Sequence, residues 1–118
     1  MKITYSNKKT EKICEDYSKA EKELGKDVAM KLAILLNAIR AFPNLYDIYQ
    51  FPQYRMHSLK ANRKYQYSFT IHKGYKWRLV VYPLDEEGNI LTNNDNEKAM
   101  LMKAVMVEVL EVSEHYEW

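Results

Sequence analysis

The stretch Tyr65 to Pro83, YQYSFTIHKGYKWRLVVYP, decides the fold. Tyr65, Tyr67, Phe69 and Ile71 alternate with Gln66, Ser68 and Thr70, the period of two that gives a strand one apolar side. Lys73-Gly74 supplies a hairpin turn. Trp77, Leu79 and Val81 then alternate with Arg78, Val80 and Tyr82 as far as Pro83. If the first three face a core, Arg78 faces the other, open side of the sheet. A hairpin with one apolar face needs a second layer to cover it.

The residues before it supply that layer. Lys2 to Ser6 alternate as a short strand, and Ser6 or Asn7 can cap a following helix. Ile13, Tyr17, Ala20 and Leu24 lie at helical spacing until Gly25 ends the pattern. A second helix, Lys26 to Ala41, presents Val28, Leu32, Leu35, Leu36 and Ile39 on one side, and Pro43 stops it. Arg55 to Lys60 reads as a short strand and Ala61 to Lys64 as a turn. Beyond the hairpin, Asp85 to Glu97 is polar and Asn-rich, an exposed loop. Lys103 to Val112 is valine-rich and suits a central strand, with room for a helical turn over Ala99 to Met102. The expectation is one α+β domain over residues 1–118, an N-terminal strand and helical hairpin packed on a mostly antiparallel sheet of four to five strands.

The net charge of +2 conceals an uneven distribution. From Ile48 to Leu84 there are seven basic residues, Arg55, Lys60, Arg63, Lys64, Lys73, Lys76 and Arg78, and no Asp or Glu. The rest of the chain carries 11 basic and 16 acidic residues, a balance of −5. Six of the ten tyrosines and two of the three histidines lie in the same stretch. Cations attract phosphates without regard to sequence, and aromatic rings offer faces on which bases stack. Strand-forming tyrosines with solvated lysines account for the aromatics but not for 37 residues without a carboxylate. The stretch is therefore expected to grip a nucleic-acid backbone, RNA above all.

Other classes find little support. No apolar run approaches the roughly 18 residues of a membrane span, and the first residues hold no hydrophobic signal core. A cytoplasmic location with no membrane partner is expected. Cys14 is the single cysteine, beside Ile13 in a helical pattern, and reads as a small buried thiol. Three scattered histidines show no metal-ligand spacing, and three glycines make no phosphate-binding loop. No metal or cofactor is expected. The remaining groups are basic and imidazole side chains: His57, Lys60, Arg78, and a terminal His115-Tyr116 pair that can reach over the open face. Taken singly, His57 is as readily a structural strand residue, and the terminal pair a frayed end. Together they suit RNA cleavage by its own 2′-OH, in which a base removes the hydroxyl proton, cations stabilise the phosphorane and an acid protonates the departing 5′ oxygen.

Three segments, RMHSLKANRKYQYSFTI, KWRLVVYP and VMVEVLEVSEHYE, together resemble the RelE/ParE toxin superfamily, and within it the HigB-like branch. The order of strand, helical hairpin and sheet agrees with it over nearly the whole chain. The resemblance implies the toxin of a type II toxin–antitoxin system, a ribosome-dependent mRNA interferase that arrests translation and growth. Its partners would be a cognate helix-turn-helix antitoxin of HigA-like type, the ribosome and mRNA, with operator DNA met only through the antitoxin. By position, His57 matches the family's catalytic histidine, Lys60 its lysine and Arg78 its transition-state arginine. Arg63 and Lys64 match a basic turn that contacts ribosomal RNA, and Arg55, Lys73 and Lys76 extend that RNA-binding surface. Two departures stand out. Ala61 replaces the family's turn glycine. The terminal cluster reads Glu114-His115-Tyr116, with His and Tyr in swapped order, so either can be the catalytic terminal group. The alternatives are a ParE-like gyrase inhibitor, which keeps the fold without the histidines, and a non-catalytic RNA- or DNA-binding module.

Overall fold

The protein is described here by a computed structural model covering residues 1–72, 74, 76–92 and 95–114. It starts with strand β1 (Lys2–Tyr5), then helices α1 (Lys8–Glu15), α2 (Tyr17–Leu24), α3 (Lys26–Ala41) and α4 (Leu45–Tyr49). Strand β2 (His57–Ser58) lies between two single 3-10 turns, Pro52–Tyr54 and Ala61–Arg63. Strands β3 (Tyr67–His72) and β4 (Trp77–Leu84), helix α5 (Glu97–Lys103) and strand β5 (Met106–Glu114) complete it. The α+β architecture expected from the sequence is the one observed.

Asn7 caps α1, accepting from the Thr10 amide at 2.8 Å. The single helix expected up to Gly25 is two. Asp16 adopts extended backbone and its side chain accepts from the Lys19 amide, so it ends α1 and caps α2. An aspartate satisfies a new helix start better than a helix interior, and the break costs little because the apolar face resumes at Ala20. Gly25, at φ +87°, is both the end of α2 and the start of α3, a backbone angle that favours glycine. Helix α3 spans the expected residues and buries Val28, Ala29, Leu32, Leu35, Leu36 and Ile39.

The sheet has five strands in the order β1-β5-β4-β3-β2, with β1 parallel to β5 and every other pairing antiparallel. Its helix-facing side carries Tyr67, Phe69, Leu79, Val81, Val107 and Val109, all buried against α3 and its neighbours. Trp77 is half-buried against the same core. Three boundaries differ from expectation. The strand expected over Arg55 to Lys60 pairs only at His57 and Ser58, because Arg55 (φ +47°) and Ala61 (φ +57°) turn the chain at either side. The last strand starts at Met106 rather than Lys103, since Asn96 caps a seven-residue helix reaching Lys103. Helix α4, capped by Asn44, was not anticipated, since five residues hold too little of a period to read. The Lys73 half of the hairpin turn lies outside the described residues.

The side of the sheet turned away from α3 is not bare. Ser68 and Val80 there have no accessible surface. A bulge decides which side chains occupy it. Opposite β4, Val80 pairs with Glu111 and Val81 with Val109, leaving Leu110 as the extra residue. Without that bulge Glu111 would share the core-facing parity of Val107 and Val109. With it, Val112 returns to the core side beside Leu79, and Glu111 and Ser113 face outward.

Candidate active face

Cross-strand partners share a side of the sheet, so the pairing register builds the site row by row. The first row runs His57, Ser68, Val80, Glu111 across β2, β3, β4 and β5. The next runs Thr70, Arg78, Ser113. His57 and Arg78 therefore lie on one face, two strands and one two-residue step apart. From standard strand spacings that places their Cα atoms roughly 12 Å apart, a gap that two side chains of their length close around one phosphodiester.

His57 is exposed, on the edge strand, with Nδ1 3.2 Å from the carbonyl oxygen of Arg55. A carbonyl only accepts, so this is a hydrogen bond when Nδ1 carries hydrogen, which leaves Nε2 as the proton acceptor of the neutral ring. The left-handed backbone of Arg55 turns the carbonyl toward the imidazole while closing the preceding 3-10 turn. Non-glycine residues seldom take that conformation, and they do so most at functional sites.

Arg78 is half-buried and donates Nη1 to the Trp77 carbonyl at 3.1 Å, while its buried Nε has no partner among the described residues. Burial lowers its ordinarily very high pKa, and the positive charge of Arg55 lowers it further. Among the described residues neither arginine has a carboxylate partner. Two neighbouring guanidinium groups without counter-charge form a site that gains most from an anion, and Arg matches phosphate with a planar fork of donors.

Arg63 is differently employed. Its Nη1 donates to Glu111 Oε1 at 2.9 Å and to Gln66 Oε1 at 3.2 Å, and Ser113 donates to Glu111 Oε2 at 2.7 Å. The pair ties the Ala61–Arg63 turn to β5, with Lys60 and Lys64 exposed at its two ends. Lys64 Nζ lies 5.2 Å from the centroid of the Tyr65 ring. Ala61 is in the left-handed region where glycine is the easier residue. Lys60 lines a cavity of about 520 Å³ together with His57 and Arg63. Lys76, also left-handed, is exposed beside Trp77 and lines a separate cleft of about 670 Å³ with the α2–α3 turn. Lys73, His115 and Tyr116 lie outside the described residues.

The register thus brings His57 and Arg78 to one face, with Arg55 near enough for its charge to act on Arg78 and Lys60 beside His57 at the edge. Sequence reading missed the effect of the Arg55 charge on Arg78 and the anchoring role of Glu111. A signal for the second was present: the doublet Val109-Leu110 breaks the alternation one residue before a charge that would otherwise point into the core. Among the described residues no three His, Cys, Asp or Glu side chains gather as a metal site would need, and no helix is long and apolar enough to cross a membrane.

An α+β domain with a helical hairpin over one side of this sheet and a cationic row on the other has the RelE/YoeB-like fold. The particular likeness is to the YoeB–YefM complex from Staphylococcus aureus, with a TM-score of 0.54, 22% sequence identity and coverage of 98% of both chains. No family model matches the chain. No curated protein matches it in sequence either.

Proposed function

We propose that this protein is the toxin of a two-gene toxin–antitoxin pair and cuts messenger RNA on the ribosome through the RNA's own 2′-OH. The observation that carries the proposal is the shared face of His57 and Arg78, an imidazole beside a guanidinium that feels the Arg55 charge and has no carboxylate partner among the described residues. In the reaction, Nε2 of His57 takes the 2′-OH proton or returns one to the 5′ oxygen. Arg78, with Arg55 behind it, binds the non-bridging oxygens as negative charge accumulates in the phosphorane. Lys60 holds the adjoining phosphate, Lys73 and Lys76 hold the flanking backbone, and Lys64 binds the RNA beside them. His115 or Tyr116 supplies the second proton-transfer group. None of these steps requires a metal or cofactor.

The HigB-like assignment rests on the His57-Ser58-Leu59-Lys60 element joined to Trp77-Arg78-Leu79. The structural neighbour was solved as a complex of YoeB with YefM. By analogy the partner here is an antitoxin, its acidic segments matched to the basic stretch, and operator DNA is reached only through that antitoxin. A cytoplasmic site of action follows from an mRNA target.

Primer extension on cellular mRNA after brief induction tests the proposal. Codon-related cuts are expected from the wild-type chain, and none from Arg78→Ala at equal expression. An Arg78→Ala protein that still arrests growth defeats the assignment. Intact RNA with stalled replication identifies a gyrase inhibitor instead, and intact RNA with normal replication a binding module.

A further inference from the structure

On the other side of strand β2 from His57, between the β2–β3 turn and the start of α5, lies a cavity of about 470 Å³. Ser58, Lys60, Lys64, Tyr65, Tyr67 and Glu97 line it. Ser58 follows His57 in β2 and pairs with Tyr67 on the core-facing side. This cavity and the one at His57 therefore flank the same ridge, and both include Ser58, Leu59, Lys60 and Ala61. An RNA strand whose phosphate sits at His57 has a neighbouring nucleotide in position to drop over that ridge.

The polar groups in the cavity are unusual for a structural void. Tyr67, 2% exposed, donates its hydroxyl to Glu97 Oε2 at 2.6 Å. Burial and the Glu97 charge both push the phenol's pKa up, so Tyr67 stays the donor and aims the carboxylate. Among the described residues Oε1 of Glu97 has no partner, and neither Lys60 nor Lys64 forms an ion pair. The half-buried Tyr65 ring adds an aromatic surface. One oriented carboxylate acceptor, two ammonium donors and a ring make up the set.

We propose that this cavity is a guanine-recognition pocket, with Glu97 accepting from N1–H and N2–H of the base, Lys64 donating to O6 and N7, and Tyr65 stacking on the ring. Guanine alone among the four bases places two adjacent N–H donors beside two acceptors. Adenine and cytosine each set a ring-nitrogen acceptor next to their amino group, which would face the carboxylate. Uracil has one donor between two carbonyls. Lysine on guanine O6 and N7 is a common recognition pair, and stacking on tyrosine adds affinity for any base. The inference rests on the RNA-cleaving reading for its occupant; the same chemistry would take a free guanine nucleotide.

The test is fluorescence anisotropy of short 2′-O-methyl oligonucleotides, which lack the attacking hydroxyl, each with G, A, C, U or inosine at one position of a common sequence. The G oligomer is expected to bind about tenfold more tightly than the A, C or U oligomers, the scale of one charge-assisted hydrogen bond. Inosine, lacking N2–H, should bind more weakly than G; it alters the ligand and leaves the protein intact. Glu97→Gln, whose amide oxygen can still accept from Tyr67, should reduce the preference to under about threefold. A 5′-GMP titration run alongside separates sources: weaker binding than the oligomer identifies an RNA chain, and equal binding a free nucleotide. Equal binding of all four base oligomers, or a G preference unchanged in Glu97→Gln, overturns the pocket and leaves RNA cleavage standing. No binding of any oligomer, with intact RNA after induction, overturns both.

Discussion

Replacing Arg78 by methionine should make the protein more stable and almost inactive. The Arg78 Nε is buried without a partner among the described residues, a deficiency of about 1–3 kcal/mol, and the guanidinium also feels the charge of Arg55. Methionine keeps the aliphatic stem and removes both penalties. It loses one hydrogen bond, from Nη1 to the Trp77 carbonyl, on the order of 0.5–1.5 kcal/mol. The balance is a gain of about 1 kcal/mol. For 118 residues, unfolding entropy of about 2.1 cal/mol/K per residue makes that roughly 4 °C in Tm. Loss of an oriented donor to the phosphorane should lower the cleavage rate by about 10²–10³. The assay is paired: thermal unfolding by circular dichroism, and cleavage of ribosome-bound message. A fall in Tm of more than about 4 °C would show that Arg78 belongs to a structural network. Cleavage within about tenfold of wild type would remove it from the chemistry. Function sustained at the expense of stability is what the orphaned nitrogen implies.

The Arg63–Glu111 pair, at 31% and 35% side-chain exposure, should show a coupling of about 1 kcal/mol in a double-alanine cycle read by urea unfolding. Additive effects would mean the turn is held by its backbone hydrogen bonds, such as that from the Leu59 amide to the Gln66 carbonyl. Glu111→Ala by itself releases a cation, so the log–log salt slope for single-stranded RNA binding should steepen by roughly 0.7. An unchanged slope would show that Arg63 does not reach phosphate. Ala61→Gly relieves a left-handed alanine, about 1–2 kcal/mol, against a backbone entropy cost of about 0.5–1 kcal/mol. A net gain of about 0.5 kcal/mol at constant m-value is expected, and a loss would contradict the assigned turn. Cys14 is largely buried and its thiol is pushed up to about 12, by burial first and then by the Glu15 charge. Folding that raises an acid's pKa is stabilising below the unfolded value near 8.5 for a thiol and loses that contribution as pH rises toward 12. Native protein at pH 8 should resist alkylation that unfolded protein undergoes within minutes, and equal rates would place the thiol outside.

Much of the architecture is written locally. The caps Asn7, Asn44 and Asn96, the Gly25 break, the Lys26–Ala41 helix and the alternation through β3 and β4 depend on a residue and its near neighbours. So does the acid-free stretch from Ile48 to Leu84, which marked the proposed interface before any strand was paired. The break at Asp16 was harder, because an aspartate on the polar side of a helix and an aspartate starting a new one look alike in a periodicity.

What surrounds the candidate site was decided by long-range pairing. The sequence alone placed Arg78 opposite the core side of β4, through the parity of Trp77, Leu79 and Val81. It could not show that the Arg55 charge acts on Arg78, because Arg55 is positioned by a left-handed turn before an edge strand only two residues long. Nor could it set Glu111 against Arg63, since parity counted from Val107 points Glu111 inward until the Leu110 bulge reverses it. A strand's side chains alternate by local geometry. Which side becomes which, after a bulge, is settled by the partner strand that either accommodates the extra residue or does not.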